Sequence, residues 1–295
     1  TILRVIRKRN KPFGGVQVLF IGDLYQLPPV VKDTEAPIFN TYYKSPFFFH
    51  AKVFEQTQPV FIELKKIYRQ NEQKFIDLLN NLRNNELIHS DFELLNSRYN
   101  PNFKPTDHKY ITLTSHNHKA DAINKAELDK LPQKLFEYRG AIKGDFNDKQ
   151  LPTELILKLK EGAQVMFIKN DSSGLSRYYN GKLAIVDQIN QEEITVRFPE
   201  SNDCLKIEKE TWENITYRHD DESNTIDEKV LGTYTQFPLR LAWAITIHKS
   251  QGLTFTHAII DAGSSFAPGQ VYVALSRCTS LEGIVLHSPI LANAI

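Results

Sequence analysis

The sequence has little cysteine and no long apolar run. Only Cys204 and Cys278 occur among its 295 residues, which excludes a disulfide framework and a CxxC metal site. No apolar stretch reaches the length of a transmembrane helix, and no secretory signal pattern opens the chain. We therefore expect a protein without a membrane partner, cytoplasmic if it is bacterial and nuclear or mitochondrial if it is eukaryotic.

An excess of charge of one sign is missing as well. The chain carries 36 basic and 35 acidic residues, for a net charge of +1. Any binding of nucleic acid must therefore come from a local patch and not from the field of the whole protein. Basic residues cluster between Arg4 and Lys11, but a solvated helix end explains that run as well as a nucleic-acid contact does, and we favour the helix end.

Two signatures of a complete phosphate-binding site are also missing. No GxxxxGK[ST] string occurs, because Gly181-Lys182 is followed by Leu183. No apolar strand ends in Asp-Glu, since Asp221-Glu222 lies in a polar, acidic segment that is typical of a solvated loop. A metal site is not expected either, because the histidines between positions 108 and 118 have no Cys or acidic partner at ligand spacing.

The most informative stretch that is present is GDLYQLPPVV, Gly22–Val31. The apolar run at 16–21 predicts a buried strand, which Gly22 ends abruptly. In a parallel α/β sheet, ligands lie beyond the carboxyl ends of the strands. Asp23 and Gln26 therefore offer a carboxylate and an amide to a phosphate or a metal ion.

Hydrophobic period and turn residues divide the rest of the chain into α/β, β-rich and again α/β parts. At 295 residues the length prior favours about two domains. Between 162 and about 237 short β-rich runs at regular spacing predict a small barrel, inserted into an α/β domain. The other predicted elements are strands at 60–64, 110–114, 256–261 and 284–286, and helices at 72–85, 91–98, 239–249 and 268–278, with Ser115 capping a further helix.

Three further segments carry polar or basic groups: YRQ at 68–70, AITIHKSQGLTF at 244–255 and GQVYVALSR at 269–277. Arg277 is the last of several residues that share one face of the predicted helix at 268–278. An arginine held in a fixed position can stabilise charge on a transferring phosphoryl group. Each segment alone has a plainer explanation. Arg277 would complement a helix dipole as a surface residue, and Gly252 would be an ordinary helix C-cap.

Taken in order, GDxxQLPPV, LxxxYRQ, HKSQGxT and VYVALSR resemble the later motifs of superfamily-one helicases, and more closely those of the PIF/RecD branch. The resemblance covers nearly the whole chain. It extends to four further strings: PFFFHAKVF at 46–54, ITLTSHNHKADAIN at 111–124, GAQVMFIKND at 162–171 and YYNGKLAIV at 178–186.

The resemblance implies an α/β fold with RecA-like parallel sheets of the P-loop NTPase type. Residues 1–64 would be the C-terminal remnant of a first RecA-like domain, and 65–158 with 239–295 would form the second. Residues 159–238 would be an inserted, small SH3-like β-barrel. In such helicases ATP lies in the cleft between the two RecA-like domains, and DNA runs across their tops.

The resemblance also implies roles for individual residues. Gln26 corresponds to a glutamine that senses the γ-phosphate, with Asp23 beside it, and Arg69 and Arg277 correspond to two arginine fingers. Gln251 and Gly252 match a segment that links nucleotide state to the grip on DNA. Five residues match positions near the DNA backbone: Thr114, His116, Thr246, His248 and Ser250.

The implied function is that of the C-terminal portion of an ATP-dependent 5′-to-3′ DNA helicase that uses ATP and Mg²⁺. Its expected partners are single-stranded DNA and duplex junctions, and it is expected to be monomeric. The GxxxxGK[ST] loop and the strand that ends in Asp-Glu are the Walker A and Walker B elements of such helicases. Because both are missing, we expect this chain alone to be inactive as an ATPase, and we explain their absence by truncation upstream of Thr1. Two alternatives remain: a non-catalytic DNA-binding or regulatory module with this fold, and a RecD-like subunit of a nuclease complex.

Overall fold

The computed structural model describes residues 2–31, 34–105, 108–147, 151–220, 225–263 and 269–290. Its α-helices in these ranges are α1 (Ile2–Ile6), α2 (Ala36–Tyr42), α3 (Gln73–Asn84), α4 (His89–Asn96), α5 (Asn117–Lys130) and α6 (Gln270–Ser276). Short 3₁₀ turns occupy Pro12–Gly15, Phe48–His50 and Lys52–Glu55. No helix within these ranges is long and apolar enough to cross a membrane.

The α/β part is built on a four-stranded parallel sheet. It consists of β1 (Ile111–Thr114), β12 (Ala244–Thr246), β13 (Ala258–Asp261) and β14 (Ile284–Leu286), in the order β12-β1-β13-β14. The strands are almost entirely buried, as expected for a parallel sheet that is covered on both faces. Thr114 lies opposite both Thr246 and Asp261, so these three residues mark the carboxyl edge of the sheet.

Helix α3 shows how the sequence directs this packing. Phe75, Leu78, Leu79 and Leu82 recur at helical spacing and are all buried, which is the apolar stripe of an amphipathic helix. The helix ends at Asn85, whose backbone is left-handed with φ of 58° and so closes the last turn. The predicted helix at 72–85 is confirmed, and the predicted helix at 91–98 is found slightly earlier as α4.

The β-rich part has its own core of buried apolar side chains around Phe167, Phe237 and Tyr178. Its remaining strands are β2 (Phe136–Arg139), β3 (Ala141–Gly144), β4 (Ile156–Leu159), β5 (Gln164–Phe167), β6 (Leu183–Ile189), β7 (Ile194–Arg197), β8 (Cys204–Ile207), β9 (Glu210–Asp220), β10 (Thr225–Gln236) and β11 (Leu239–Leu241).

These strands form three antiparallel sheets, in the orders β11-β5-β6-β7-β8, β3-β10-β9 and β2-β4. The predicted β-rich character of 162–237 is therefore confirmed, while the SH3-like identity of this part stays a prediction. The acidic pair Asp221-Glu222, between β9 and β10, lies outside the described residues.

The predicted helix at 239–249 is wrong. Residues 239–241 form β11, which pairs with β5, and residues 244–246 form β12, which pairs with β1. A fully buried strand shows no alternation of polar and apolar residues, so its pattern cannot be told from that of a buried helix. The sheet partners, β1 and β5, decide the conformation.

The two strands predicted at 16–21 and 60–64 are not formed in the described part of the chain. Both runs have no regular secondary structure and are exposed, with Ile21 83% and Val60 89% accessible. An apolar run becomes a buried strand only where another strand pairs with it, and neither run pairs with a described strand.

Two predicted helix starts also need correction. The N-cap of α5 is His116, and Ser115 is buried just before it. Helix α6 begins at Gln270, after Gly269 in the left-handed region, whereas the predicted start, Pro268, lies outside the described residues.

Candidate functional site

Asp23 organises the loop that follows the first apolar run. Its Oδ1 accepts a hydrogen bond from the Tyr25 backbone N–H at 3.0 Å, and its carbonyl accepts one from the Gln26 N–H at 3.2 Å. The Gln26 side-chain amide donates to Asp23 Oδ2 at 3.4 Å. Asp23 therefore folds the loop as an Asx turn does and fixes the side chain of Gln26.

This loop packs against elements that are more than 200 residues away in the chain. The Tyr272 hydroxyl, on α6, donates to Asp23 Oδ2 at 3.0 Å, and the Gln251 amide donates to Gln26 Oε1 at 3.0 Å. Burial, followed by the Asp23 charge, raises the pKa of Tyr272 to about 12. The structure thus brings Asp23, Gln26 and Gln251 together, three of the residues predicted for the nucleotide side.

Arg277 lies at the end of α6 and is only 2% exposed. Its Nε donates to the Val273 carbonyl at 3.0 Å, and its Nη2 donates to Ser276 Oγ at 2.9 Å. Burial, and then the nearby charge of Arg69, lower the pKa of Arg277 to about 10. A desolvated guanidinium beside a second guanidinium is stabilised by an anion, so this corner is suited to a phosphate.

Arg69 approaches the same corner from the loop before α3. Its Nε donates to Thr254 Oγ1 at 2.9 Å and its Nη1 to the Ser276 carbonyl at 3.0 Å, and burial lowers its pKa. The two arginines that the sequence predicts as arginine fingers therefore lie close together at the end of α6. Gln26 is hydrogen-bonded to Gln251 and Asp23 instead of either arginine.

Gln70 is a site residue that the sequence reasoning missed. It is 5% exposed, and its amide donates to the Ser276 carbonyl at 3.2 Å and to the Cys278 carbonyl at 2.8 Å. These two carbonyls flank Arg277 on either side. The only sequence signal was its place directly after Arg69, because glutamine is mostly exposed and its burial here depends on the distant end of α6.

The donors of this corner fit the phosphate end of a nucleotide. Guanidinium and amide N–H groups are the usual donors to phosphate oxygens. Of the residues predicted for this site, Asp23 alone offers a carboxylate to a metal ion. Within the described ranges no cluster of three or more His, Cys, Asp or Glu side chains could hold a metal, so the fit concerns the phosphate and not a complete magnesium site.

A second candidate site lies at the carboxyl edge of the parallel sheet. A cavity of about 360 Å³ is lined by Ser115, His116, Asn117, Thr246, His248 and Lys249. Three of the five residues predicted to lie near DNA line this cavity, namely His116, Thr246 and His248. Hydroxyl, imidazole and ammonium groups are among those that contact nucleic-acid phosphates in proteins.

The other two predicted DNA residues, Thr114 and Ser250, are fully buried. The Thr114 hydroxyl donates to the His116 carbonyl at 2.9 Å, and the Ser250 hydroxyl donates to the Ile247 carbonyl at 2.7 Å. In this arrangement both hydroxyls are buried, and both shape the turns that carry the half-buried His116 and His248.

The turn at 246–252 connects the two candidate sites. Thr246 and His248 line the cavity, whereas Gln251 reaches Gln26. Gly252 then adopts a left-handed backbone with φ of 84°, a conformation that glycine accepts without strain. The seven residues of this turn thus join the loop that carries Gln26 to the cavity.

Comparison with known proteins identifies relatives of this chain. The family model described as PIF1-like helicase matches residues 1–92. The ATP-dependent DNA helicase Pif1 of Campylobacter jejuni is 31% identical over 96% of this chain and 65% of its own length. The chain thus spans slightly less than two thirds of that relative.

Two solved structures of the Bacteroides Pif1 helicase are similar in fold, each 44% identical over 99% of this chain. The complex with ADP-AlF4 gives a TM-score of 0.86 with 66% of that chain covered, and the form bound to ssDNA gives 0.72 with 67% covered. The RecA-like helicase fold is therefore shared. The chain belongs to the PIF1-like helicase family.

Proposed function

We propose that this chain is part of an ATP-dependent DNA helicase that moves along single-stranded DNA in the 5′-to-3′ direction and unwinds duplex DNA. The observation that carries the proposal is the single turn at 246–252, which touches the Gln26 loop at one end and lines the cavity at the sheet edge at the other. Coupled nucleotide and DNA sites are what a translocating motor requires.

On the nucleotide side, Gln26, Arg69 and Arg277 are proposed to contact the γ-phosphate. ATP with Mg²⁺ would supply the phosphoanhydride bond whose hydrolysis drives movement. Arg277 and Arg69 would each exchange an internal acceptor for a phosphate oxygen. The present acceptors are neutral, so an anion would compete with them successfully. Asp23, Gln251 and Gly252 would hold the loop and the turn in place.

On the DNA side, His116, Thr246 and His248 are proposed to contact the strand directly from the cavity, and Thr114 and Ser250 to hold the turns beneath them. Single-stranded DNA and duplex junctions are the proposed partners, and the protein is proposed to work as a monomer. The net charge of +1 agrees with binding through a local groove and not through a basic face.

We further propose the domain assignment of 1–64, of 65–158 with 239–295, and of an SH3-like barrel at 159–238. Support comes from the separate apolar cores of the parallel sheet and of the β-rich part. The β-rich part would enclose the DNA strand beside the cavity.

Strand separation by the full gene product tests the helicase proposal. We expect it to hydrolyse ATP faster when single-stranded DNA is present and to unwind a forked duplex with a 5′ single-stranded tail. The same duplex with a 3′ tail is the control for direction. Tight binding of single-stranded DNA without any turnover would instead support a non-catalytic module, and turnover only after addition of nuclease partners would support a RecD-like subunit.

The isolated 1–295 polypeptide is expected to show no ATP turnover above background and no tight ATP binding. The reason is chemical: the sequence contains no GxxxxGK[ST] loop and no apolar strand that ends in Asp-Glu, which hold the phosphates and the metal in P-loop NTPases. Calorimetric titration with ATP and a phosphate-release assay measure both properties. Clear turnover by this polypeptide would contradict the proposal.

A further inference from the structure

The carboxylate of Asp23 accepts hydrogen bonds from two different parts of the chain. Within its own loop it accepts from the Tyr25 N–H and the Gln26 side chain. From the rest of the chain it accepts the Tyr272 hydroxyl at 3.0 Å, and Arg83 Nε lies 3.7 Å from Oδ1. The Tyr272 hydroxyl is therefore a direct link from α6 to this loop.

Tyr272 is well placed to transmit movement because of what its helix carries. It lies on α6, five residues before Arg277. At the start of the same helix Gly269 touches the loop, since a Cβ there would lie 2.7 Å from the Tyr25 carbonyl oxygen. One end of α6 thus packs against the Gln26 loop while the other end presents an arginine to the candidate phosphate corner.

The charges around Asp23 make this link specific. Arg83 lies beside the loop, Arg69 and Arg277 lie at the end of α6, and Asp23 raises the pKa of Arg277 against the lowering caused by burial and Arg69. The Tyr272 hydroxyl fixes the position of Oδ2 relative to these arginines. Without that hydroxyl, the remaining described hydrogen bond to Oδ2 is the longer one from the Gln26 side chain, at 3.4 Å.

We propose that Tyr272 is a positioning residue, whose hydroxyl holds Asp23 so that Gln26 and Arg277 keep one spacing across the cleft. The inference rests on the proposed ATPase function of the full gene product. Tyr272 acts through Asp23 and does not itself contact the nucleotide.

The test is Tyr272→Phe in the full gene product, with Tyr25→Phe as the matched control. Tyr25 lies in the same loop and its ring stacks on Arg83 at 4.6 Å, so the control removes a hydroxyl and keeps the ring. Because a hydrogen bond to a charged group is lost, we expect kcat for ATP to fall about tenfold in Tyr272→Phe, with KM and DNA affinity unchanged. Tyr25→Phe should match the wild type.

Two further measurements separate positioning from a general structural role. In an Asp23→Ala background, Tyr272→Phe should have little additional effect on kcat, because the acceptor of the hydroxyl has already been removed. Without nucleotide, amide hydrogen exchange at 23–27 should increase in Tyr272→Phe and not in Tyr25→Phe.

Failure of the proposed ATPase function and failure of the role of Tyr272 would give different results. A wild-type gene product without ATPase activity would remove the proposed function, whereas an active wild type with an equally active Tyr272→Phe variant and unchanged exchange would overturn the role of Tyr272. Additive effects of Tyr272→Phe and Asp23→Ala would also overturn it.

Discussion

Arg277→Ala is expected to lower kcat for ATP in the full gene product by about 10³-fold, the lower end of the range measured for arginine fingers. Arg277 is buried beside Arg69, and its acceptors among the described residues are neutral, namely the Val273 carbonyl and Ser276 Oγ. Since neither of these acceptors neutralises the charge of Arg277, that charge is available to a phosphate. Steady-state phosphate release, measured with and without single-stranded DNA, gives kcat.

Two companion variants make this result interpretable. Arg98→Ala removes another partly buried arginine, one that donates to the Ile284 and Glu282 carbonyls and to no group named in the site, and should leave kcat close to that of the wild type. Arg277→Lys keeps the charge but loses the planar fork, so we expect only partial recovery. Affinity for single-stranded DNA should stay within about threefold of the wild type in all three variants, because the cavity residues are untouched. Undiminished turnover in Arg277→Ala would remove the arginine from the proposed site.

Gln70→Ala is expected to lower kcat by about 10²-fold without a change in KM. Gln70 holds the carbonyls of Ser276 and Cys278, on both sides of Arg277, and a displacement of about 1 Å of a positioned group can cost about 10² in rate. An unchanged KM with a lower kcat would show that the lost interaction matters in the transition state and not in ground-state binding.

The matched control for this change is Gln73→Ala. Gln73 is an exposed glutamine in the first turn of α3 that donates to Asp77 at 2.8 Å, so its loss should affect neither kcat nor folding. Gln70→Glu preserves the volume of the side chain but replaces the amide donor, and it should resemble Gln70→Ala in kcat. A wild-type kcat in a folded Gln70→Glu variant, with an unfolding temperature near that of the wild type, would refute the positioning role.

Helix α3 was predictable because its apolar residues repeat at the period of the helix, so a local pattern was sufficient. The β-rich middle part was predictable for a similar reason, since its short runs are separated by turn residues. Both elements obtain most of their conformational information from residues that are neighbours in the chain.

Residues 239–249 were mispredicted because their conformation depends on partners that are distant in the chain. Leu239–Leu241 pairs with β5, and Ala244–Thr246 pairs with β1. An apolar segment of this length satisfies its backbone groups equally well as a helix or as an inner strand, and only the available sheet edge selects the strand.

The candidate site, too, was predictable in part. The residue types at positions 23, 26, 69, 251 and 277 could be read from the sequence through their motif spacing. Their contacts could not, because Gln26 meets Gln251 across 225 positions and Gln70 meets Ser276 across 206.

The chemical groups of this protein, the order of its motifs and the conformation of its locally patterned elements thus follow from the sequence. The burial of Arg277 and the place of Gln70 beside it follow from the folded arrangement, as does the difference between Thr114 and Ser250, which support a turn, and His116 and His248, which line the cavity. Burial and hydrogen-bond pairing depend on neighbours in space, and for Gln26 and Gln70 those neighbours lie more than 200 positions away in the chain.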